Sequence, residues 1–258
     1  MRRSTSLIAL GAVLLSLAGA GSALADKYVA LGDSYSSGTG TRTYFDSGCQ
    51  RSVYSYPYLL SQRRPNTQLT FAACSGAKTG DVLNNQVSSL TADTKIVTIT
   101  IGGNDAGFSS VITECAKPSW LQDCAGKVNT ARSYMSNTLP GQLNNVYNQI
   151  HSRAPTATVV VLSYPRLFNG EDCNAATWFS PDDENRLNSA ADLMRDVTRT
   201  QAQAHGFVFK DAIPAFIGHA VCGDEWLNGL SNPIGESYHP NTKGHSLGYL
   251  PLVRSVVG

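Results

Sequence analysis

Short apolar segments alternate with helix-like segments along most of the chain, and this alternation constrains the fold more than any other feature. The strand-like segments are residues 28–31, 68–72, 95–101, 158–163 and 207–210. Helix-like segments cover 55–64, 81–90, 127–153, 182–205 and the stretch after Pro240. Strands separated by helices of this length predict an α/β fold in which a central parallel sheet is covered on both faces.

The N-terminal segment is typical of a secretory signal peptide. Arg2 and Arg3 precede an apolar run over 7–17, and Ala23-Leu24-Ala25 forms a small-x-small cleavage site. The alternative is a retained N-terminal anchor, but the apolar run is short for a membrane span. We therefore expect residues 1–25 to be removed, so that residues 26–258 form a single domain in a secreted, extracellular protein.

The charge balance excludes some classes of partner. Without Arg2 and Arg3, 18 basic side chains stand against 19 acidic ones, for a net charge of −1. A nearly neutral chain is not expected to bind nucleic acid or to require an anionic surface. We expect a monomer.

Six cysteines follow the predicted signal peptide, and an exported chain with an even number of cysteines is expected to form disulfides. Sequence alone allows fifteen pairings. Cys115 and Cys124 are close enough to close a small loop, and sequential pairing then joins Cys49 to Cys74 and Cys173 to Cys222. A zinc site is the competing interpretation, but the chain has no Cys-x-x-Cys or His-x-x-x-His pair.

A candidate nucleophile follows the first predicted strand. Gly32 ends that strand, and Ser34 stands in Gly32-Asp33-Ser34-Tyr35. Ligands of open α/β sheets bind at the carboxyl ends of the strands, so Ser34 is predicted to face the site. An ordinary glycine-serine turn is the competing interpretation. The segment lacks the final glycine of Gly-x-Ser-x-Gly, which argues against a nucleophile-elbow fold.

Polar turns also follow the second and third predicted strands, at Gly76 and Asn104. Acyl transfer needs hydrogen-bond donors placed where the tetrahedral intermediate develops negative charge. The backbone N–H groups of Ser34 and Gly76 and the side-chain amide of Asn104 are the predicted donors. Taken singly, Gly76 and Asn104 are also typical of simple turns.

His239 is the predicted general base among five histidines. It precedes Pro240, which favours an extended loop just before the last helix. Its second ring nitrogen needs a partner that fixes the tautomer. Glu236 and the main-chain carbonyl of Ser237 are the candidates, and we favour the carbonyl because a glutamate is long and harder to hold in position.

These motifs together resemble those of the SGNH (GDSL) hydrolase superfamily. Its four signature residues correspond here to Ser34, Gly76, Asn104 and His239, in that order. The resemblance implies a flavodoxin-like three-layer α/β/α sandwich, with Ser34 as nucleophile, His239 as base, and Gly76 and Asn104 as oxyanion donors. One departure is Glu236, which stands where the family usually has aspartate, so a dyad supported by the Ser237 carbonyl is a direct alternative to a triad.

The cysteines and the Asn104-Asp105 pair make the chain look like the secreted actinobacterial branch of lipases, esterases and phospholipases A1. We expect a serine ester hydrolase that needs no metal or cofactor, acts on a lipid or other ester substrate, and is able to contact lipid aggregates or a membrane surface transiently. Loop aromatic residues suggest an acyl-binding groove: Tyr44, Phe45, Phe108, Trp178 and Phe179. The alternatives are an esterase acting on acetylated polysaccharide or plant-polymer esters and, from another class, a secreted binding module that does not turn over substrate.

Overall fold

The computed structural model describes residues 25–170 and 176–258, and its core is one five-stranded sheet. The strands are β1 (Asp26–Gly32), β2 (Thr67–Phe71), β3 (Thr94–Thr100), β4 (Thr158–Leu162) and β5 (Val208–Lys210). They lie in the order β2-β1-β3-β4-β5, and every neighbouring pair is parallel. This is the strand order of flavodoxin-like sheets, so the predicted fold class is confirmed.

Burial along the strands shows that both faces of the sheet are covered. Residues 28–32 of β1 are all buried, as are 96–100 of β3 and 159–162 of β4. Side chains of successive strand residues point to opposite faces, so continuous burial requires a layer on each side. In the central strands, exposed residues lie only near the amino-terminal ends, at Lys95 of β3 and Thr158 of β4, whereas the edge strands β2 and β5 have no fully buried residue.

Helices on the two faces complete the three layers. They are α1 (Ser34–Ser37), α2 (Tyr56–Arg63), α3 (Thr79–Asp81), α4 (Phe108–Cys115), α5 (Cys124–Asn137), α6 (Leu139–Arg153), α7 (Pro181–Ala204) and α8 (Leu250–Val257). One group contains α5, α6 and α7, which pack against each other. The other group pairs α2 with α8.

Several helices differ from the sequence-based expectation. The predicted helix over 127–153 is two helices, because Pro140 in the first turn of α6 has no N–H to continue the ladder from α5. The predicted helix over 81–90 is irregular, with a π-helical segment at Val82–Gln86 and a 3-10 turn at Val87–Ser89. Helix α4 was not expected. The last helix continues through Pro251 from the π-helical segment Gly244–Tyr249.

Disulfides join Cys49 to Cys74 and Cys115 to Cys124, two of the three expected pairings. The third includes Cys173, which lies outside the described residues, as does the expected signal peptide apart from Ala25. Across residues 25–170 and 176–258, no helix has the length and apolarity that a membrane span requires.

Candidate active site

The turn after β1 carries Ser34, and its geometry requires glycine at position 32. Gly32 has φ +121°, and a Cβ there would lie 2.4 Å from the carbonyl oxygen of Thr100. Only glycine tolerates both that conformation and that approach. The next residue, Asp33, caps α1 by accepting a hydrogen bond from the Tyr35 N–H at 3.0 Å. Ser34 is therefore the first residue of α1, at the carboxyl edge of the sheet.

Gln86 holds the end of β1, a role that the sequence analysis missed. The Gly32 N–H donates to its Oε1 at 2.8 Å, and its Nε2 donates to the Gly32 carbonyl at 2.9 Å. Gln86 is buried at the end of the π-helical segment Val82–Gln86. Such segments are frequent near functional sites, but no sequence pattern distinguished this one from a regular helix.

Ser34 and His239 are in direct contact. The Nε2 atom of His239 lies 2.8 Å from the Ser34 hydroxyl oxygen, and its Nδ1 lies 2.9 Å from the carbonyl oxygen of Ser237. A carbonyl only accepts hydrogen bonds, so Nδ1 carries the ring proton. Nε2 is then an acceptor for the Ser34 hydroxyl proton. This is the tautomer that general-base catalysis requires.

The loop that carries His239 is braced from two sides. The Tyr35 hydroxyl donates to the carbonyl oxygen of Tyr238 at 2.6 Å. On the other side, the Asn228 N–H donates to the His239 carbonyl and the Tyr238 N–H donates to the Asn228 carbonyl, both at 2.9 Å. Because Tyr35 directly follows Ser34 and Tyr238 directly precedes His239, the first brace ties the Ser34 and His239 segments to one another.

Burial sets the protonation state of His239. Its side chain is only 8% exposed, and desolvation lowers its pKa from 6.5 to about 4, although the hydrogen bond to Ser237 opposes the shift. Burial disfavours the charged form of an imidazole, because that form loses its hydration. His239 is therefore neutral, and able to take a proton, across the neutral and mildly acidic range.

Glu236 does not contact His239. Its carboxylate accepts a hydrogen bond from the Tyr44 hydroxyl at 2.7 Å and lies 3.5 Å from Nε of Arg42. Of the two partners considered from the sequence, the Ser237 carbonyl is the one placed at Nδ1. Glu236 instead joins the loop before His239 to the segment around Tyr44.

The turns that carry Gly76 and Asn104 are joined to each other. The Asn104 side-chain amide donates to the Ala77 carbonyl at 3.0 Å, and Asp105 accepts from both the N–H and the hydroxyl of Thr79. An amide nitrogen has two hydrogens, so one remains for another acceptor. Gly76 has φ +81° and open space where a Cβ would stand. No hydrogen bond between described residues uses the backbone N–H of Ser34 or Gly76.

Tyr164, at the carboxyl end of β4, links two of these turns. Its hydroxyl donates a hydrogen bond to the Asp33 carboxylate and accepts one from the Gly103 N–H at 3.0 Å. Burial raises the pKa of Asp33 to about 7, against the lowering effect of this hydrogen bond. The sequence analysis did not single out Tyr164. It directly follows the predicted strand segment 158–163, and this position was the signal that it faces the same edge as Ser34.

An apolar groove of about 460 Å³ opens beside His239. Its walls include Phe108, Ile112, Trp178, Leu230 and Ile234. Phe108 and Trp178, two of the five aromatic residues expected in an acyl groove, thus line it.

The other three expected aromatics do not line this groove. Tyr44 binds Glu236, Phe45 packs against Tyr58 and Phe71, and Phe179 is buried in the core. In the part of the chain that the structure describes, no three histidine, cysteine or acidic side chains are grouped to hold a metal.

At the carboxyl edge of this flavodoxin-like sheet, a serine hydroxyl is hydrogen-bonded to a neutral imidazole. This arrangement defines a serine-type acyl hydrolase. The chain belongs to the GDSL-like lipase/acylhydrolase family, whose model matches residues 30–247. It is therefore a carboxylic ester hydrolase, as the sequence motifs predicted.

Individual relatives agree with this assignment over nearly the whole chain. A lipase from Streptomyces rimosus is 44% identical over 98% of this chain and 97% of the relative. The crystal structure of an extracellular lipase from the same species and that of phospholipase A1 from Streptomyces albidoflavus NA297 each have a TM-score of 0.84. Each is 44% identical and covers 90% of this chain and 99% of the other.

Proposed function

We propose that this protein is a secreted hydrolase of lipid carboxylic esters, of the lipase or phospholipase A1 type, with Ser34 as nucleophile and His239 as general base. The observation that carries the proposal is the 2.8 Å contact between the Ser34 hydroxyl and Nε2 of His239, whose Nδ1 is held by the Ser237 carbonyl. The names of the similar Streptomyces proteins support the same class of substrate.

In the first half-reaction, Ser34 Oγ attacks the ester carbonyl carbon and its proton passes to Nε2 of His239. The tetrahedral intermediate then collapses, the bond to the leaving alkoxide breaks, and Nε2 returns the proton to the alcohol. In the second half-reaction, water attacks the acyl-enzyme and gives a proton to Nε2. That proton returns to Ser34 Oγ as the carboxylic acid leaves.

The negative charge of the tetrahedral oxygen needs donors fixed in advance. We assign this role to the backbone N–H groups of Ser34 and Gly76 and to the Asn104 amide. Each such donor lowers the barrier by about 3 to 4 kcal/mol in comparable enzymes. The hydrogen bond from Asn104 to Ala77 holds the amide in place before substrate arrives, so no reorganisation is needed during the reaction.

The groove beside His239 favours a lipid over an acetylated polysaccharide. Its walls are mainly apolar and its volume suits a long hydrocarbon chain. An acetyl group has two carbons and a sugar is polar, so neither would use this surface. The protein acts, in this proposal, as an exported monomer whose residues 26–258 form one catalytic domain after removal of residues 1–25, and which contacts lipid aggregates transiently.

The proposal is tested with a serine-directed phosphonate and with esters of different chain length. We expect the phosphonate to modify Ser34, as located by peptide mass spectrometry, and Ser34→Ala to abolish ester hydrolysis with an unchanged circular-dichroism spectrum. Ser61→Ala, in α2, is the matched control. Appreciable turnover by Ser34→Ala would refute the assignment. Faster cleavage of nitrophenyl acetate than of long-chain esters and phosphatidylcholine would refute the lipid substrate.

A further inference from the structure

Large apolar side chains stay exposed around the groove beside His239. Trp178, Leu230 and Ile234 line it, yet 51%, 39% and 76% of their surfaces are exposed. Single exposed apolar residues are ordinary, but several around one opening are typical of a surface that binds an apolar partner.

A disulfide-closed loop adds two more exposed apolar residues next to this opening. The loop runs from Cys115 to Cys124, and its residue Pro118 lines the groove. At its tip, Trp120 is 77% exposed and Leu121 is 64% exposed. The Leu121 N–H donates to the Pro118 carbonyl at 2.8 Å, which closes the tip into a turn. The loop is therefore held in shape while its tip faces solvent.

The loop and the groove wall are connected directly. The Trp178 N–H donates to the carbonyl of Ala116, at the base of the loop, at 3.2 Å. The five exposed side chains therefore belong to adjoining segments. We call them the mouth surface: Trp120, Leu121, Trp178, Leu230 and Ile234.

We infer that the mouth surface docks onto the surface of a lipid aggregate and places the groove against it. This inference rests on the proposed function. A lipid ester would then pass from the aggregate into the groove without exposing its hydrocarbon to water. A protein partner on the mouth surface, including a second copy of this chain, would cover the opening of the groove that this surface borders. Tryptophan is suited to the boundary between headgroups and hydrocarbon, since its ring is apolar and its N–H is polar.

The charges of the loop predict whether docking requires anionic lipid. Lys117 forms an ion pair with Glu114 at 2.6 Å, so its charge is compensated within the loop region. Asp123 uses its side chain to cap α5. With no uncompensated cation in this segment, docking should depend on apolar contact and should proceed on zwitterionic phosphatidylcholine without anionic lipid.

The experiment measures co-sedimentation with phosphatidylcholine vesicles, using the mature chain with Ser34→Ala so that the vesicles stay intact. Adding Trp120→Ser and Leu121→Ser should lower the partition constant by at least about tenfold, because the two wild-type side chains would bury apolar surface in the lipid. Leu247→Ser is the matched control, because Leu247 is 54% exposed but lies in the C-terminal helical segment and does not line the groove. That variant should bind as the parent does.

A soluble ester separates the failure of this inference from failure of the proposed function. With Ser34 intact, Trp120→Ser plus Leu121→Ser should hydrolyse monomeric nitrophenyl acetate at the wild-type rate, because neither residue lines the groove. If the wild type hydrolyses no ester, the proposed function fails. If it does, but the double variant binds vesicles as tightly as the parent, or the Leu247 control loses binding equally, the docking inference is overturned.

Discussion

The hydroxyl of Tyr164 donates a hydrogen bond to the carboxylate of Asp33, the residue immediately before Ser34. The same hydroxyl accepts from the Gly103 N–H, immediately before Asn104. One phenol oxygen thereby joins the turn after β1 to the turn after β3. Its ring also packs edge to face on Tyr35, with centroids 4.9 Å apart. Tyr164 is in position to set the distance between the proposed nucleophile and an oxyanion donor.

Replacing Tyr164 by Phe should lower kcat about tenfold while KM changes less than about twofold, because the two turns lose their shared partner but the groove is unchanged. The free energy of unfolding should fall by about 1 to 3 kcal/mol, since the buried Asp33 carboxylate loses a donor. Steady-state kinetics and urea denaturation measure the two effects.

Tyr134→Phe is the control for that change. Its hydroxyl donates to Gln142 at 2.8 Å between α5 and α6, away from the site. It should leave kcat unaltered. A Tyr164→Phe variant that lost stability but kept full kcat would show that Tyr164 is structural only.

Glu236→Gln should reduce kcat by less than about tenfold. The side chain faces Tyr44 and Arg42, and a Gln carbonyl oxygen still accepts the Tyr44 hydrogen bond. Loss of a carboxylate that supports a catalytic histidine costs about 10⁴ in kcat in a triad. The kinetics of this variant thus separate a dyad from a triad, and a loss of the larger size would require Glu236 to contact His239 during turnover.

Asn104→Ala should lower kcat by about 10² to 10³ with little change in KM, because the amide acts on charge that exists only in the transition state. Asn129→Ala, on the surface of α5, serves as the comparison. A raised KM with an unchanged kcat would instead mean that Asn104 binds the ground state as strongly as the transition state.

The pH profile of kcat/KM should have an acidic limb centred near pH 4. In the proposed mechanism His239 takes the Ser34 proton only when its ring is neutral, and burial lowers its pKa to about 4. Activity is therefore retained above that value and lost as the pH falls through it. The same pKa shift lowers the free energy of unfolding as the pH falls from about 6.5 to about 4. In that range the histidine binds a proton in the unfolded chain but not in the folded one. A limb centred near 6.5 would contradict the burial argument.

A covered parallel sheet was predictable, because β1, β3 and β4 are apolar on both faces. The flavodoxin-like arrangement of its strands followed from the family resemblance and not from the hydrophobic pattern. Helix α4 was not, since its eight residues lie between Gly107 and the disulfide loop and are too few to establish a periodic pattern. Pro140 marked the break between α5 and α6, but the helix-favouring composition around it led to the prediction of one continuous helix.

Within the site, the residues with a chemical signature could be named in advance, whereas their supports could not. Ser34 and His239 occur in recognisable local motifs. Gln86 and Tyr164 act through side chains that cross to distant backbone, and such contacts depend on the assembled fold. The choice between Glu236 and the Ser237 carbonyl was likewise decided by loop geometry, which places the carboxylate toward Tyr44.

The hydroxyl of Ser34 and the imidazole of His239 meet across 205 positions of sequence. A ribosome-bound or partly exported chain that lacks its final segment therefore holds the proposed nucleophile without its proton acceptor. Such a chain should hydrolyse no ester, so activity should begin only once the segment that carries His239 has been synthesised and folded against α1.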